Sequence, residues 1–130
     1  MSILKDVVDR SLVTPPFEVF SNDTFKDTES VIEGRFKVIC PVTKEIDNLW
    51  LKIKLTPNSS GDFVEYVSFY KWLITLEKEE LGIEGSCTKI FNTINRVTSP
   101  SILKVVVSTG YKAINQKAIK KTNNIVLKKM

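Results

Sequence analysis

Between Leu49 and Leu55 the chain alternates strictly, with Leu49, Leu51, Ile53 and Leu55 set against Trp50, Lys52 and Lys54. Successive side chains of a strand point to opposite faces, so this period of two describes a strand with one packed face and one face that is wet or at an interface. A chain holding such a strand needs a sheet and a layer to cover it. Val31 to Ile39 repeats the pattern, with Phe36 and Val38 on one side and Arg35 and Lys37 on the other, and Cys40-Pro41 ends it because proline removes a ladder donor.

The rest of the chain supplies the covering layer. Tyr66, Phe69, Tyr70, Leu73 and Leu76 recur at helical steps between Val64 and about Lys78. Ile83, Cys87, Ile90, Phe91, Ile94 and Val97 form the stripe of a second helix, closed by Ser99-Pro100. Ile102 to Ser108 is β-branched and apolar, as a central strand would be, and a last strand is expected from about Lys112 to Ile119. Pro15-Pro16 breaks any helix begun between Ile3 and Leu12, and Asn22 to Ser30 is turn-rich. The expected class is α+β, an antiparallel sheet with two helices on one face. Its expected division is an N-terminal extension over 1–30, a domain over 31–122 and a basic tail over 123–130. Two open sheet edges favour symmetric assembly of copies.

What is missing narrows the chemistry. The 130 residues include no histidine, which removes His-based triads and His metal sites. Cys40 and Cys87 are too few for a disulfide scaffold or for a zinc site within one chain, so no metal is expected. No apolar stretch reaches the roughly 20 residues that span a bilayer, and the first ten residues lack a secretory h-region. The expectation is a cytoplasmic protein with two free thiols and no membrane contact.

The charge is unevenly spread. Lys112, Lys117, Lys120, Lys121, Lys128 and Lys129 account for six of the 19 basic side chains, and no acid follows Glu84. The 111 residues before Lys112 then hold 13 basic and all 15 acidic groups, a net of −2 beside a +6 end. Such asymmetry fits an RNA phosphate contact through these six lysines, and equally a solubilising terminus.

Cys40-Pro41-Val42-Thr43-Lys44-Glu45-Ile46-Asp47 lies between the first two core strands, in the kind of connection that displays functional groups. Taken alone, a cysteine at a strand end is more often a small buried hydrophobe, and an aspartate here a turn residue. This run, Cys-Pro-x-Thr-x-x-x-Asp, resembles the signature of the tunnelling-fold (T-fold) nitrile reductases that act on 7-cyano-7-deazaguanine. It is closer still to their QueF-like amidinotransferase relatives, including Lys44 where the reductases usually have glycine. The resemblance runs from about Arg35 to Ser108, through Pro57, Phe69 and Glu84.

That resemblance implies a T-fold whose copies join into a β-barrel ring, a pentamer or decamer. It implies Cys40 as nucleophile, forming a covalent thioimide with the nitrile carbon, and Asp47 as the proton carrier. It implies substrate binding by Glu84, with Glu65 and Ser68, and a carboxylate suits the donor edge of a deazaguanine. Two departures shape the reading. The reductases hold NADPH phosphates with two lysines whose places in Glu65-Tyr66-Val67-Ser68-Phe69-Tyr70-Lys71 carry other residues, so no cofactor is implied. Ile83 stands where both branches usually carry histidine. The expected activity is conversion of the nitrile of 7-cyano-7-deazaguanine in tRNA to the amidine of archaeosine, with tRNA and ammonia as partners. The alternatives are a nitrile reductase, a non-catalytic deazaguanine or tRNA binder of the same fold, and an unrelated basic nucleic-acid binder.

Overall fold

The computed structural model describes residues 16–109, 112–114, 117–119 and 124–129, with side chains over 16–109 and 125–129. Residues 1–15, which the sequence reading placed in the N-terminal extension, lie outside the described residues.

The centre of the molecule is a four-stranded antiparallel sheet of β2 (Ser30–Ile39), β3 (Ile46–Thr56), β5 (Ile102–Thr109) and β8 (Asn124–Lys129), in that order. Helices α1 (Tyr66–Thr75) and α2 (Gly82–Thr98) connect β3 to β5, so the expected α+β layer with two helices on one face is what the chain forms. The register places Ile32, Phe36 and Val38 opposite Ile53, Leu49 and Asp47. Leu51, Ile53 and Leu55 in turn face Val107, Val105 and Leu103. These side chains, Asp47 aside, are all buried. Every second position of three adjacent strands thus lies under the helices, which is the packed face that the alternation predicts.

Each helix fits this layer for local reasons. Glu65 caps α1, its carboxylate accepting the Ser68 amide at 2.6 Å, and Phe69, Leu73 and Leu76 then recur on the buried side. Phe69 meets Phe17 edge to face, with ring centroids 5.1 Å apart, so the segment before β1 (Val19–Ser21) is pinned to the core. Helix α2 buries Cys87, Ile90 and Ile94 against the sheet. Two of its buried hydroxyls are satisfied within the helix: Ser86 donates to the Gly82 carbonyl and Thr98 to the Ile94 carbonyl. It ends at Ser99, whose left-handed backbone lets its amide bond back to Asn95.

Three features differ from the sequence reading. Val19–Ser21 forms a small ladder with β4 (Asp62–Val64), so part of 1–30 packs with the domain. The single strand expected over Lys112 to Ile119 is two three-residue strands, β6 (Lys112–Ile114) and β7 (Lys117–Ile119), paired with each other outside the main sheet. The segment read as a basic tail instead supplies the fourth strand, Asn124–Lys129 pairing with β5. Its Ile125 and Leu127 pack against the core, while Lys128 stays in solvent.

Candidate active site at the β2–β3 turn

Cys40 to Glu45 form a tight connection between the two longest strands. The Cys40 amide donates to the Glu45 carbonyl and the Lys44 amide to the Cys40 carbonyl, both at 2.9 Å. Closing so short a loop takes a left-handed residue, which is Lys44 at φ 62°. That backbone need accounts physically for a position where glycine would serve equally well.

Cys40 continues the parity of Val38, placing it at the end of the helix-covered face, and it is half-buried. Asp47 is opposite Val38 in the ladder, so Cys40 and Asp47 share that face, one on each arm of the turn. The Cys40 thiol is held below its ordinary pKa. The Thr43 side chain contributes most, followed by hydrogen bonds from the Thr43 and Val42 backbone, while burial and the charge of Asp47 work the other way. Thr43 is a member of the motif to which the sequence reading gave no role. The Lys44 ammonium is ion-paired with Glu80 at 2.7 Å.

The second wall comes from α2. Gly82 opens the helix at φ 68°, and a Cβ there would stand 3.1 Å from Pro41 Cδ, so the helix start lies directly against the turn. Glu84 follows in the first helical turn, exposed to solvent, and Ile83 between them is half-buried against the core. An acid in this position also suits the helix dipole. Pro41 and Gly82 thereby bring the Cys40 turn and the Glu84 helix end together.

Other candidates lie elsewhere. Glu65 and Ser68 are engaged in starting α1: Ser68 Oγ donates to the Glu65 carbonyl at 3.2 Å and accepts the Glu18 amide at 2.8 Å. The Glu65 carboxyl is held below its ordinary range, first by the Ser68 backbone amide and then by its hydroxyl. Tyr66 beside them reaches Gly34, six residues from Cys40 along β2, on the order of 20 Å at ~3.4 Å per residue. One chain alone therefore does not bring Glu65 and Ser68 to the Cys40 turn. Among the candidate RNA-binding lysines, Lys128 is exposed on the helix-free face and Lys129 donates to Asn95 Oδ1 at 2.7 Å. The side chains of Lys112 and Lys117, and all of Lys120 and Lys121, lie outside the described residues.

Cys87 is fully buried, with Sγ 3.8 Å from the Ile125 carbonyl, and burial pushes its thiol up to about 11. Among the described residues, no cluster of three or more Cys, Asp or Glu could hold a metal ion, and no helix is long and apolar enough to cross a membrane.

An antiparallel sheet backed by two helices, with a free, half-buried cysteine at the β2–β3 turn, defines an α+β protein. No family model matches the chain, and no curated protein matches it. Among solved structures it is similar to the archaeosine synthase QueF-Like in its apo form, with a TM-score of 0.59. The match covers 78% of this chain and 92% of that one at 15% sequence identity, a likeness of fold.

Proposed function

We propose that the chain is a QueF-like amidinotransferase that converts the nitrile of 7-cyano-7-deazaguanine in tRNA to the amidine of archaeosine. The observation that carries this reading is the joining of Cys40, Asp47 and the Glu84 end of α2 around one turn, in a fold shared with an archaeosine synthase.

In this reading the Cys40 thiolate attacks the nitrile carbon, forming a C–S bond while the triple bond opens. Asp47 supplies a proton to the nitrogen, giving the thioimide. Ammonia then adds to the same carbon, the C–S bond breaks and the thiolate leaves, and proton transfers through Asp47 leave the amidine. The net change is addition of ammonia to the nitrile, with nothing oxidised or reduced, so no hydride donor is required. Hydrogen-bond donors around Cys40 serve both halves, favouring thiolate as attacking and as leaving group. Glu84 accepts from the ring NH and exocyclic amine of the base.

The open edges of β2 and β8 are the surfaces through which copies would join into a ring of five, or two such rings. Glu65 and Ser68 would then meet the Cys40 turn of a neighbouring copy. Incubation of nitrile-bearing tRNA with the protein and ammonia should give archaeosine on nucleoside mass analysis, and NADPH should give no amine product. Turnover with NADPH alone would replace this reading by the reductase.

Ile83 supports a second reading, a non-catalytic binder of the same base. A half-buried isoleucine offers no proton where the resembling enzymes usually carry histidine.

A further inference from the structure

The helix-free face of the sheet carries an arrangement that stability alone disfavours. Lys54 is directly opposite Lys104, and Lys104 directly opposite Lys128, so three ammonium groups form one row across three strands. Like charges directly opposite in a ladder destabilise it. Lys54, Lys104 and Lys128 have no ion pair among the described residues, and only Lys52 is balanced, by Glu33 at 3.5 Å. Lys52, Lys54, Lys104 and Val106 line a shallow depression on this face.

By register the whole face holds Arg35, Lys37, Lys52, Lys54, Lys104 and Lys128 against the single acid Glu33. The helical layer over 65–98 is nearly neutral by comparison, with five acids and four bases. Next to the lysines stands an aromatic platform: Trp50 is 44% exposed, and the guanidinium of Arg35 lies 4.4 Å from its ring centroid. A basic track beside a stackable ring is the pairing by which proteins hold unpaired nucleic-acid strands.

We propose that this face binds the phosphodiester backbone of an unpaired RNA segment, with Lys54, Lys104 and Lys128 on phosphates and Trp50 stacked on a base. The choice of RNA rests on the proposed tRNA substrate, whereas the requirement for an anion rests on the lysine row itself. Contact through these lysines is sequence-independent and positions the strand. In a ring closed through the β2 and β8 edges with the helices outside, this face would turn toward the central channel, so the strand would be held there. Lys129 takes no part, since it lies on the other face with Asn95.

The test is fluorescence anisotropy of the full chain with a labelled oligouridylate about 12 nucleotides long, a length within the usual range of such sites. Lys54→Gln with Lys104→Gln should weaken binding by about tenfold near 0.1 M salt. It should also flatten the plot of log affinity against log salt by about 1.4, from two contacts at about 0.7 each on a single strand. Melting temperature should stay level or rise, since the double variant relieves like-charge pairs, and lost binding is then not lost folding. Trp50→Ala should cost about fivefold or more in affinity. Lys89→Gln, which removes a lysine paired with Glu79 on the helical side, should change neither affinity nor slope.

Equal binding of polyglutamate, or an unchanged affinity and slope in the double variant, would overturn the proposal. Cys40→Ala should bind the oligonucleotide as the parent does. RNA binding without any Cys40 chemistry would therefore remove the enzymatic reading and leave this one. A Cys40 adduct with RNA binding indifferent to the lysines would do the reverse.

Discussion

Lys44 and Glu80 are joined by a 2.7 Å ion pair, and both adopt left-handed backbone, at φ 62° and φ 50°. One closes the cysteine turn, while the other ends the short 3-10 segment that leads into α2. The pair ties the two walls of the candidate site from the solvent side, as Pro41 and Gly82 tie them from within.

Both side chains of this pair are substantially exposed, so its contribution to stability is at most about 1 kcal/mol. A left-handed non-glycine residue costs a similar amount, about 1–2 kcal/mol. Lys44→Gly should therefore be neutral or stabilising in thermal melts. A melting temperature lowered by many degrees would mean that the pair contributes more than its exposure allows.

Gly82 allows no such latitude. Gly82→Ala adds a Cβ at 3.1 Å from Pro41 and strains a φ of 68°. The expected loss is about 1–2 kcal/mol from the backbone alone, measurable by urea titration. The displaced turn should also slow alkylation of Cys40.

Hydrogen bonds to the Cys40 sulfur favour its thiolate, so its alkylation by iodoacetamide should rise with pH earlier than for an ordinary thiol. Thr43→Val removes the largest of these contributions and should move the rate profile to higher pH. An unmoved profile would assign the effect to the backbone amides.

Cys87 should behave in the opposite way. Its thiol is raised to about 11 by burial, so the neutral form favours the fold. The stability linked to it is present below the ordinary thiol pKa and lost as pH rises through about 11. One thiol should react in the native protein near pH 8 and the second only in denaturant. Rapid reaction of both would contradict the buried position.

Glu65→Ala separates a helix cap from a substrate ligand. Removing the cap should lower the melting temperature. Because the Glu65 carboxyl is depressed, its stabilising effect is present above the ordinary carboxylate range and fades as pH falls through the folded value. Unchanged Cys40 chemistry in this variant would leave Glu65 as a cap alone.

The sheet and helices were legible because their signals are periodic, as in Leu49 to Leu55 and in the Phe69–Leu73–Leu76 face. The fourth strand was hidden by its charge. Ile125 and Leu127 do alternate with Val126 and Lys128, but two terminal lysines made Asn124–Lys129 read as a solvated end. Cys40 and Asp47 were visible as a motif within one turn. The approach of Gly82 to Pro41, the Lys44–Glu80 pair and the lysine row were not, since each depends on packing or register between segments distant in sequence. Thr43 was in view all along, yet only the geometry of the turn connects it to the thiol.

The central claim is that Cys40 forms a covalent bond to a nitrile carbon, and intact-protein mass spectrometry after incubation with 7-cyano-7-deazaguanine tests it most directly. The account predicts a gain equal to the mass of the base, present in Cys87→Ala and absent in Cys40→Ala. An unmodified parent protein with a free, alkylatable Cys40 would contradict it.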